Sequence, residues 1–280
     1  MRLLVTGAGG MLGGDVVAAA LAAGHECVAL DRAALDITDQ AAASAAVAEH
    51  APEVVVNCAA WTDVDGAEAR EAEALAVNGD GAGNLAWAAV AAGARLVHVS
   101  TDYVFDGTAT RAYVESDPTG PLTAYGRTKL AGERAVLGCG PQNAVVRTAW
   151  LFGLGGRNFV ATILDRAAGG QREFDVVDDQ VGCPTYTGHL AARLIEVAQG
   201  GLGGILHAAG DGSCSWNELA RAIAAAAELD ITVRPTSSAA LDRPARRPAW
   251  SVLASERGGE PLPPWRDGLD AYLQAARALR

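Results

Sequence analysis

The stretch RLLVTGAGGMLGG, residues 2–14, decides the fold. Five residues of apolar β-type sequence run straight into a glycine turn, and an alanine-rich helical segment follows to Gly24. The glycines fall as G-x-x-G-x-x-G at Gly7, Gly10 and Gly13, a variant of the commoner G-x-G-x-x-G turn. A turn of this kind, placed between a strand and a helix, aims backbone N–H groups and the positive end of the helix dipole at a bound pyrophosphate. Asp31 closes the next apolar run about twenty residues on, where a ribose hydroxyl would be met. Together these predict a dinucleotide site lined by Gly7, Gly10, Met11, Leu12, Gly13 and Asp31.

Outward from this unit, strands and helices alternate. Strands are expected at 26–32, 53–60, 94–102 and 143–153. Helices are expected after Thr38 or Asp39, over about 66–92, and over 123–137. Each strand is apolar almost throughout, as in a parallel sheet covered on both faces. The predicted fold is α/β, a doubly wound Rossmann-like sheet with ligands at the carboxyl ends of its strands. After about residue 175 the pattern loosens: 178–190 reads as loop, 213–229 as a capped helix, and 234–268 is rich in Pro, Arg and Gly. Residues 1–150 are thus expected to form mainly the nucleotide-binding domain. Residues 151–280 would form mainly a smaller substrate-binding lobe, with chain exchange between the two.

The bulk numbers narrow the function. The 280 residues are half hydrophobic and carry a formal net charge of −11. No basic block offers a stripe of phosphate contacts, so nucleic acid is not an expected partner. No apolar run reaches membrane-spanning length, and the N-terminus has no signal-like segment. The five cysteines are scattered without a CxxC pair, which fits a reducing, cytoplasmic setting. The five histidines show no ligand spacing, and no catalytic metal is assigned.

Two fragments carry candidate chemistry. In VSTDYVFDG, residues 99–107, Ser100 and Thr101 put hydroxyls at a strand end. There Thr101 would hydrogen-bond a carbonyl oxygen as charge develops on it, or merely cap the strand. In AYGRTKLAGE, residues 124–133, Tyr125 and Lys129 stand at i, i+4 on one helix face. The bland reading is an aromatic stem covered by an aliphatic one, with Lys129 paired to Glu133. The sharper one is a proton-donating phenol tuned by a neighbouring ammonium. Asp31 accepts from a 2′-hydroxyl while the adjacent Arg32 suits a 2′-phosphate, so NADH and NADPH both stay open. Asp36 and Ile37 are placed to pin and cover an adenine edge, or to form an ordinary turn.

At this point the chain resembles the extended short-chain dehydrogenase/reductases, and within them the dTDP-4-dehydrorhamnose reductase family. The resemblance rests on TGAGGMLG, VVVNCAAWTDVDGAE, VSTDYVFDG, PLTAYGRTKLAGE, VVRTAWLFG, DDQVGCPT and RPAWSVL, in order over nearly the whole chain. It implies Thr101, Tyr125 and Lys129 as the catalytic set, with Lys129 also reaching the nicotinamide ribose. Asn57, Cys58, Ala59 and Ala60 would line the cofactor and Asn78 would brace their loop. Asp102 and Trp150 would contact the sugar, and Arg247 would meet the nucleotide diphosphate or form a surface salt bridge, with Asn158 and Gln180 as weaker candidates and Arg147 structural.

Met11 stands where the family usually has glutamine. Some members join two subunits through magnesium held by acidic residues. Asp15 is a candidate ligand, but PTYTGHL, residues 184–190, supplies no acid, and monomer and homodimer both remain open. The implied reaction is NAD(P)H-dependent reduction of dTDP-4-dehydro-L-rhamnose at C4. Alternatives are a related 4-ketoreductase of an antibiotic-sugar pathway, an epimerase, and a non-catalytic cofactor-binding regulatory subunit. A dehydratase would want a second carboxylate after Thr101-Asp102, where Tyr103 stands instead.

Overall fold

In a computed structural model, which describes residues 1–257 and 260–278, the opening stretch is β1 (Arg2–Thr6) followed by α1 (Met11–Ala22). Next come β2 (Glu26–Leu30), α2 (Gln40–His50), β3 (Val54–Asn57), α3 (Val64–Ala69) and α4 (Glu71–Leu75). A π-helical turn at Ala76–Gly81 leads into α5 (Ala82–Ala91), β4 (Arg95–Thr101), α6 (Ala124–Gly138) and β5 (Ala144–Thr148). The remainder holds β6 (Leu151–Phe152), α7 (Phe159–Ala168), β7 (Glu173–Val177), β8 (Val181–Gly182) and β9 (Thr185–Tyr186). It continues through α8 (Thr187–Gly200), β10 (Gly204–His207), β11 (Gly210–Asp211), β12 (Cys214–Ser215) and α9 (Trp216–Ala226). It closes with β13 (Thr232–Thr236), β14 (Leu262–Pro264) and α10 (Trp265–Ala278).

Six strands form one sheet in the order β10-β5-β4-β3-β1-β2, every pair parallel. Alternate residues feed opposite layers. Leu3, Val5, Val54, Val56 and Val97 pack under α1 and α8, while Leu4, Val55, Leu96 and Val145 pack under α2, α5 and α6. The chain leaves β1 toward β2 on one side and returns to β3 on the other. The crevice outside the carboxyl ends of β1 and β3 is therefore the switch point at which such sheets bind ligands. A separate core of Phe152, Ile163, Phe174, Leu219, Ile223, Trp265 and Tyr272 holds the smaller lobe.

Several expected boundaries move. The strands expected over 26–32, 53–60 and 94–102 are shorter, since each gives its last residues to the turn that holds the site. The strand expected over 143–153 stops at Thr148 because Trp150 adopts φ +46 and turns the chain out of the sheet. The long helix expected over 66–92 is broken at Arg70 (φ −134, ψ 47) and contains the π-helical turn. Residues 178–190, read as loop, contain β8, β9 and the start of α8. Asp39, rather than Thr38, caps α2 through Ala41 and Ala42 N–H. Beyond residue 150, α8 packs on α1 and β10 extends the sheet beside β5, so later chain completes the layers of the first part. Among the described residues no helix is long and apolar enough to cross a membrane.

Candidate active site

A cleft of about 1250 Å³ opens along the carboxyl ends of the strands, between the sheet and the smaller lobe. At its base the glycine turn is held by contact rather than by side chains. Gly7 has φ +68 and lies so close to the Ala59 backbone that a Cβ would clash with it. Gly13 likewise lies against the Gly7 carbonyl, so α1 starts hard against β1. Gly10 N–H donates to the Gly7 carbonyl at 3.0 Å, and Gly10 stands before the helix without a side-chain cap. Uncapped N–H groups at a helix N-terminus in a cleft suit a pyrophosphate. The residues present therefore fit a dinucleotide.

Gly7, Gly10, Met11, Leu12, Gly13, Asp31, Arg32, Asp36, Ile37, Cys58, Ala59 and Ala60 all line this cleft. Asp31 Oδ1 accepts from Ala33 and Ala34 N–H, both at 2.9 Å, which fixes the carboxylate at the end of β2. Asp36 accepts from the backbone and hydroxyl of Thr38, and these bonds hold its carboxyl below the usual range. Burial pushes the Cys58 thiol up to about 12, so it is a neutral wall and not a nucleophile. Asn78 is not part of the cleft surface. Its amide bonds Trp61 N at 2.9 Å, Trp61 O at 3.2 Å and Thr128 Oγ1 at 3.1 Å, so it braces the loop and does not face a ligand.

Thr101, Tyr125 and Lys129 converge on the far wall. Thr101 ends β4, and its hydroxyl donates to Asp102 Oδ1 at 2.9 Å and engages the Tyr125 phenol. Thr123 caps α6 through Gly126 N–H, which sets Tyr125 in the first turn and Lys129 one turn on, both facing the cleft. The Tyr103 ring meets Tyr125 edge-on at 5.5 Å.

Two expectations about this wall are corrected. Lys129 does not pair with Glu133: its Nζ donates to the Val99 carbonyl at 2.7 Å, and Glu133 is taken by Arg147 (2.7 and 2.9 Å) and Ser100 (2.6 Å). Nor does the lysine lower the phenol. Burial pushes Tyr125 up to about 12, opposed by the Thr101 hydroxyl, because Nζ is turned down onto β4. Lys129 is itself lowered to about 8 by burial, partly offset by Glu133.

Asp102, also in the cleft lining, is 2% exposed and burial raises its carboxyl to about 6. Trp150 stacks flat on Trp216 of the smaller lobe, ring centroids 3.5 Å apart, and both line the cleft. Arg247 is not on that surface. It forms a two-pronged ion pair with Asp65, next to the cleft-lining Val64 and Tyr103. Asn158 caps α7 and ties Gly153 and Gly156 carbonyls near Met11, while Gln180 lies away from the cleft. Arg147 is the structural residue expected, fully buried on Glu133. Asp15 joins no group of three candidate metal ligands among the described residues.

Sequence reasoning missed Trp216 and His98. A tryptophan opening α9 reads as lobe core, and a lone histidine inside the apolar run RLVHVS reads the same way. Only the fold brings them to Trp150 and Lys129.

A cradle for a dinucleotide opening onto a hydroxyl, a phenol and a buried amine belongs to a nicotinamide-dependent oxidoreductase of the short-chain dehydrogenase/reductase type. The family model described as "RmlD substrate binding domain" matches residues 1–278. The chain is 51% identical to a dTDP-4-dehydrorhamnose reductase of Streptomyces griseus, over 96% of this chain and 91% of that one. It is 48% identical to a probable dTDP-4,6-dihydroxy-2-methyloxan-3-one 4-ketoreductase of Streptomyces antibioticus, over 96% and 93%. The crystal structure of the Bacillus anthracis dTDP-4-dehydrorhamnose reductase in complex with NADP superimposes with a TM-score of 0.95 at 35% identity, over 98% of this chain and 99% of that one. The chain belongs to the dTDP-4-dehydrorhamnose reductase family.

Proposed function

We propose that this protein reduces the C4 keto group of dTDP-4-dehydro-L-rhamnose to give dTDP-L-rhamnose, with Tyr125 as proton donor. The observation that carries the assignment of roles is the meeting of Thr101, Tyr125 and Lys129 on one wall of a cleft whose base is the glycine cradle. When bound, NADPH or NADH supplies the hydride. The chain's own residues handle the oxygen. A phenol raised to about 12 is fully protonated at neutral pH, so Tyr125 meets the carbonyl as an acid. The Thr101 hydroxyl engages the phenol and, by turning its single proton from Asp102 to the substrate oxygen, would bond that oxygen as negative charge grows there. Trp150 and Trp216 supply a flat apolar surface for the deoxysugar face, and Asp102 an acceptor for a sugar hydroxyl.

The test follows NADPH or NADH absorbance with dTDP-4-dehydro-L-rhamnose generated in situ. Oxidation with dTDP-L-rhamnose as product is expected. Tight cofactor binding without oxidation would overturn the substrate assignment. The 48% identity to the antibioticus ketoreductase makes a 4-ketosugar of another deoxysugar series the second substrate to try. Tyr125→Phe is expected to keep cofactor affinity and lose about 10²- to 10⁴-fold in turnover, measured by the same absorbance assay.

A further inference from the structure

His98 lies in the middle of β4, entirely buried, and is not part of the cleft lining. Its surroundings fix which of its nitrogens carries the proton. The Asn57 Oδ1 accepts from Ala59 N–H at 3.0 Å and from the Thr6 hydroxyl at 2.8 Å. A backbone N–H can only donate, so the amide cannot be turned round, and Asn57 must present its NH₂ to His98 Nδ1, 3.0 Å away. An NH₂ can only donate, so Nδ1 is the bare acceptor. The neutral ring then carries its hydrogen on Nε2. That N–H points at Lys129 Nζ, 3.3 Å away.

An ammonium has three donors and no lone pair. Facing the Nε2–H of His98, it would set donor against donor in a site where both side chains are at most 2% exposed. A neutral amine satisfies every group. It accepts from His98 Nε2–H and donates to the Val99 carbonyl at 2.7 Å. We infer that His98 holds Lys129 as a neutral amine in the cofactor-free protein, and that binding of the anionic dinucleotide returns the lysine to its ammonium with uptake of one proton from solvent. This rests on the reading of Lys129 as a cofactor contact. The cofactor's ribose hydroxyls then offer the acceptors that the imidazole denies.

The other charged or titratable neighbours do not supply a substitute. Glu133, on α6, raises the lysine but spends its carboxylate on Arg147 of β5 and Ser100 of β4. Cys58, after β3, is a neutral thiol at working pH, and Tyr125 on α6 engages Thr101. Burial also lowers Lys129, the direction in which the hydrogen-bond geometry pushes it. His98 is thus a positioning residue. It sets the protonation state of a group that meets the cofactor and touches no reacting atom.

Two measurements test this. The first is a ¹⁵N spectrum of histidine-labelled protein without cofactor, which should show one ring, assigned by its loss in His98→Phe, with bare Nδ1 and protonated Nε2 from pH 6 to 9. A proton on Nδ1 overturns the inference. The second is calorimetry of NADPH and of NADH binding in buffers of different ionisation heat. Uptake should approach one proton from pH 8 upward, the His98 contact adding to the burial that already lowers the lysine. The Kd should weaken up to tenfold per pH unit above 8. In His98→Phe the uptake should fall below the parent's while binding persists, and uptake equal to the parent's would assign the lowering to burial alone and overturn the role of His98. Tight binding of either dinucleotide with no proton uptake sinks the inference and leaves the proposed function standing. No binding of either dinucleotide sinks that function as well.

Discussion

Asp102 shows how much one side chain can carry. Its Oδ1 takes the Thr101 hydroxyl at 2.9 Å, its Oδ2 has no well-formed bond, and Ser251 nearby lowers it only part of the way back. Burial leaves it at about 6, above the ordinary 3.8. A folded pKa above the unfolded one means that the folded chain binds the proton more tightly between roughly pH 4 and 6. Stability therefore falls as pH rises through that window and stays at the lower level beyond it. Each pH unit between the two values is worth about 1.4 kcal/mol. Asp102→Asn removes the ionisation while keeping an acceptor for Thr101. Thermal unfolding should show the variant gaining on the parent at pH 7.5, with the gain shrinking by pH 4. A gain equal at both pH values would show that the carboxyl is not raised.

At the scale of elements, α6 and β5 are joined by a buried ion pair, Glu133 with Arg147, the guanidinium also lying over the Phe105 ring at 5.0 Å. Removing one partner strands the other charge in the core. Arg147→Met should lose about 3–5 kcal/mol in denaturant unfolding, and Arg147→Met with Glu133→Leu should recover most of it. A double variant as weak as the single would mean that the pair itself supplies the stability. The glycine turn, Asp31 and the Tyr-x-x-x-Lys pair were legible because local chemistry demands them: small residues at a close approach, an acid at a strand end, a helical spacing. The break at Arg70 and the π-helical turn behind it were not, since alanine-rich sequence punctuates neither. Nor was β10. Four residues, GILH, between glycines look like loop until β5 offers them an edge. For the same reason His98 passed as core and Arg247 as a ligand contact, their partners lying 41 and 182 residues away in sequence.

For the molecule as a whole, the two cores are not two independent bodies. Leu190, Leu194, Leu206 and Leu262, all from residues 151–280, share one cluster with Leu3, Val16 and Val146 from residues 1–150. A fragment of residues 1–150 would bare the α1 face and the β5 edge. It should therefore fail to give a soluble, cooperatively unfolding species, whereas the full chain should melt in one transition by circular dichroism and fluorescence alike. An independently folded fragment would show that the first part is autonomous. The same weave gives the cleft an optical signature. The parallel, stacked indoles of Trp150, just after β5, and Trp216, opening α9, are close enough for their electronic transitions to couple. Their far-ultraviolet circular dichroism, at the strong indole transition, should carry a paired positive and negative band, absent in either single phenylalanine replacement. An occupant that wedges the rings apart would extinguish that couplet, so the protein reports on its own opening and filling without a dye.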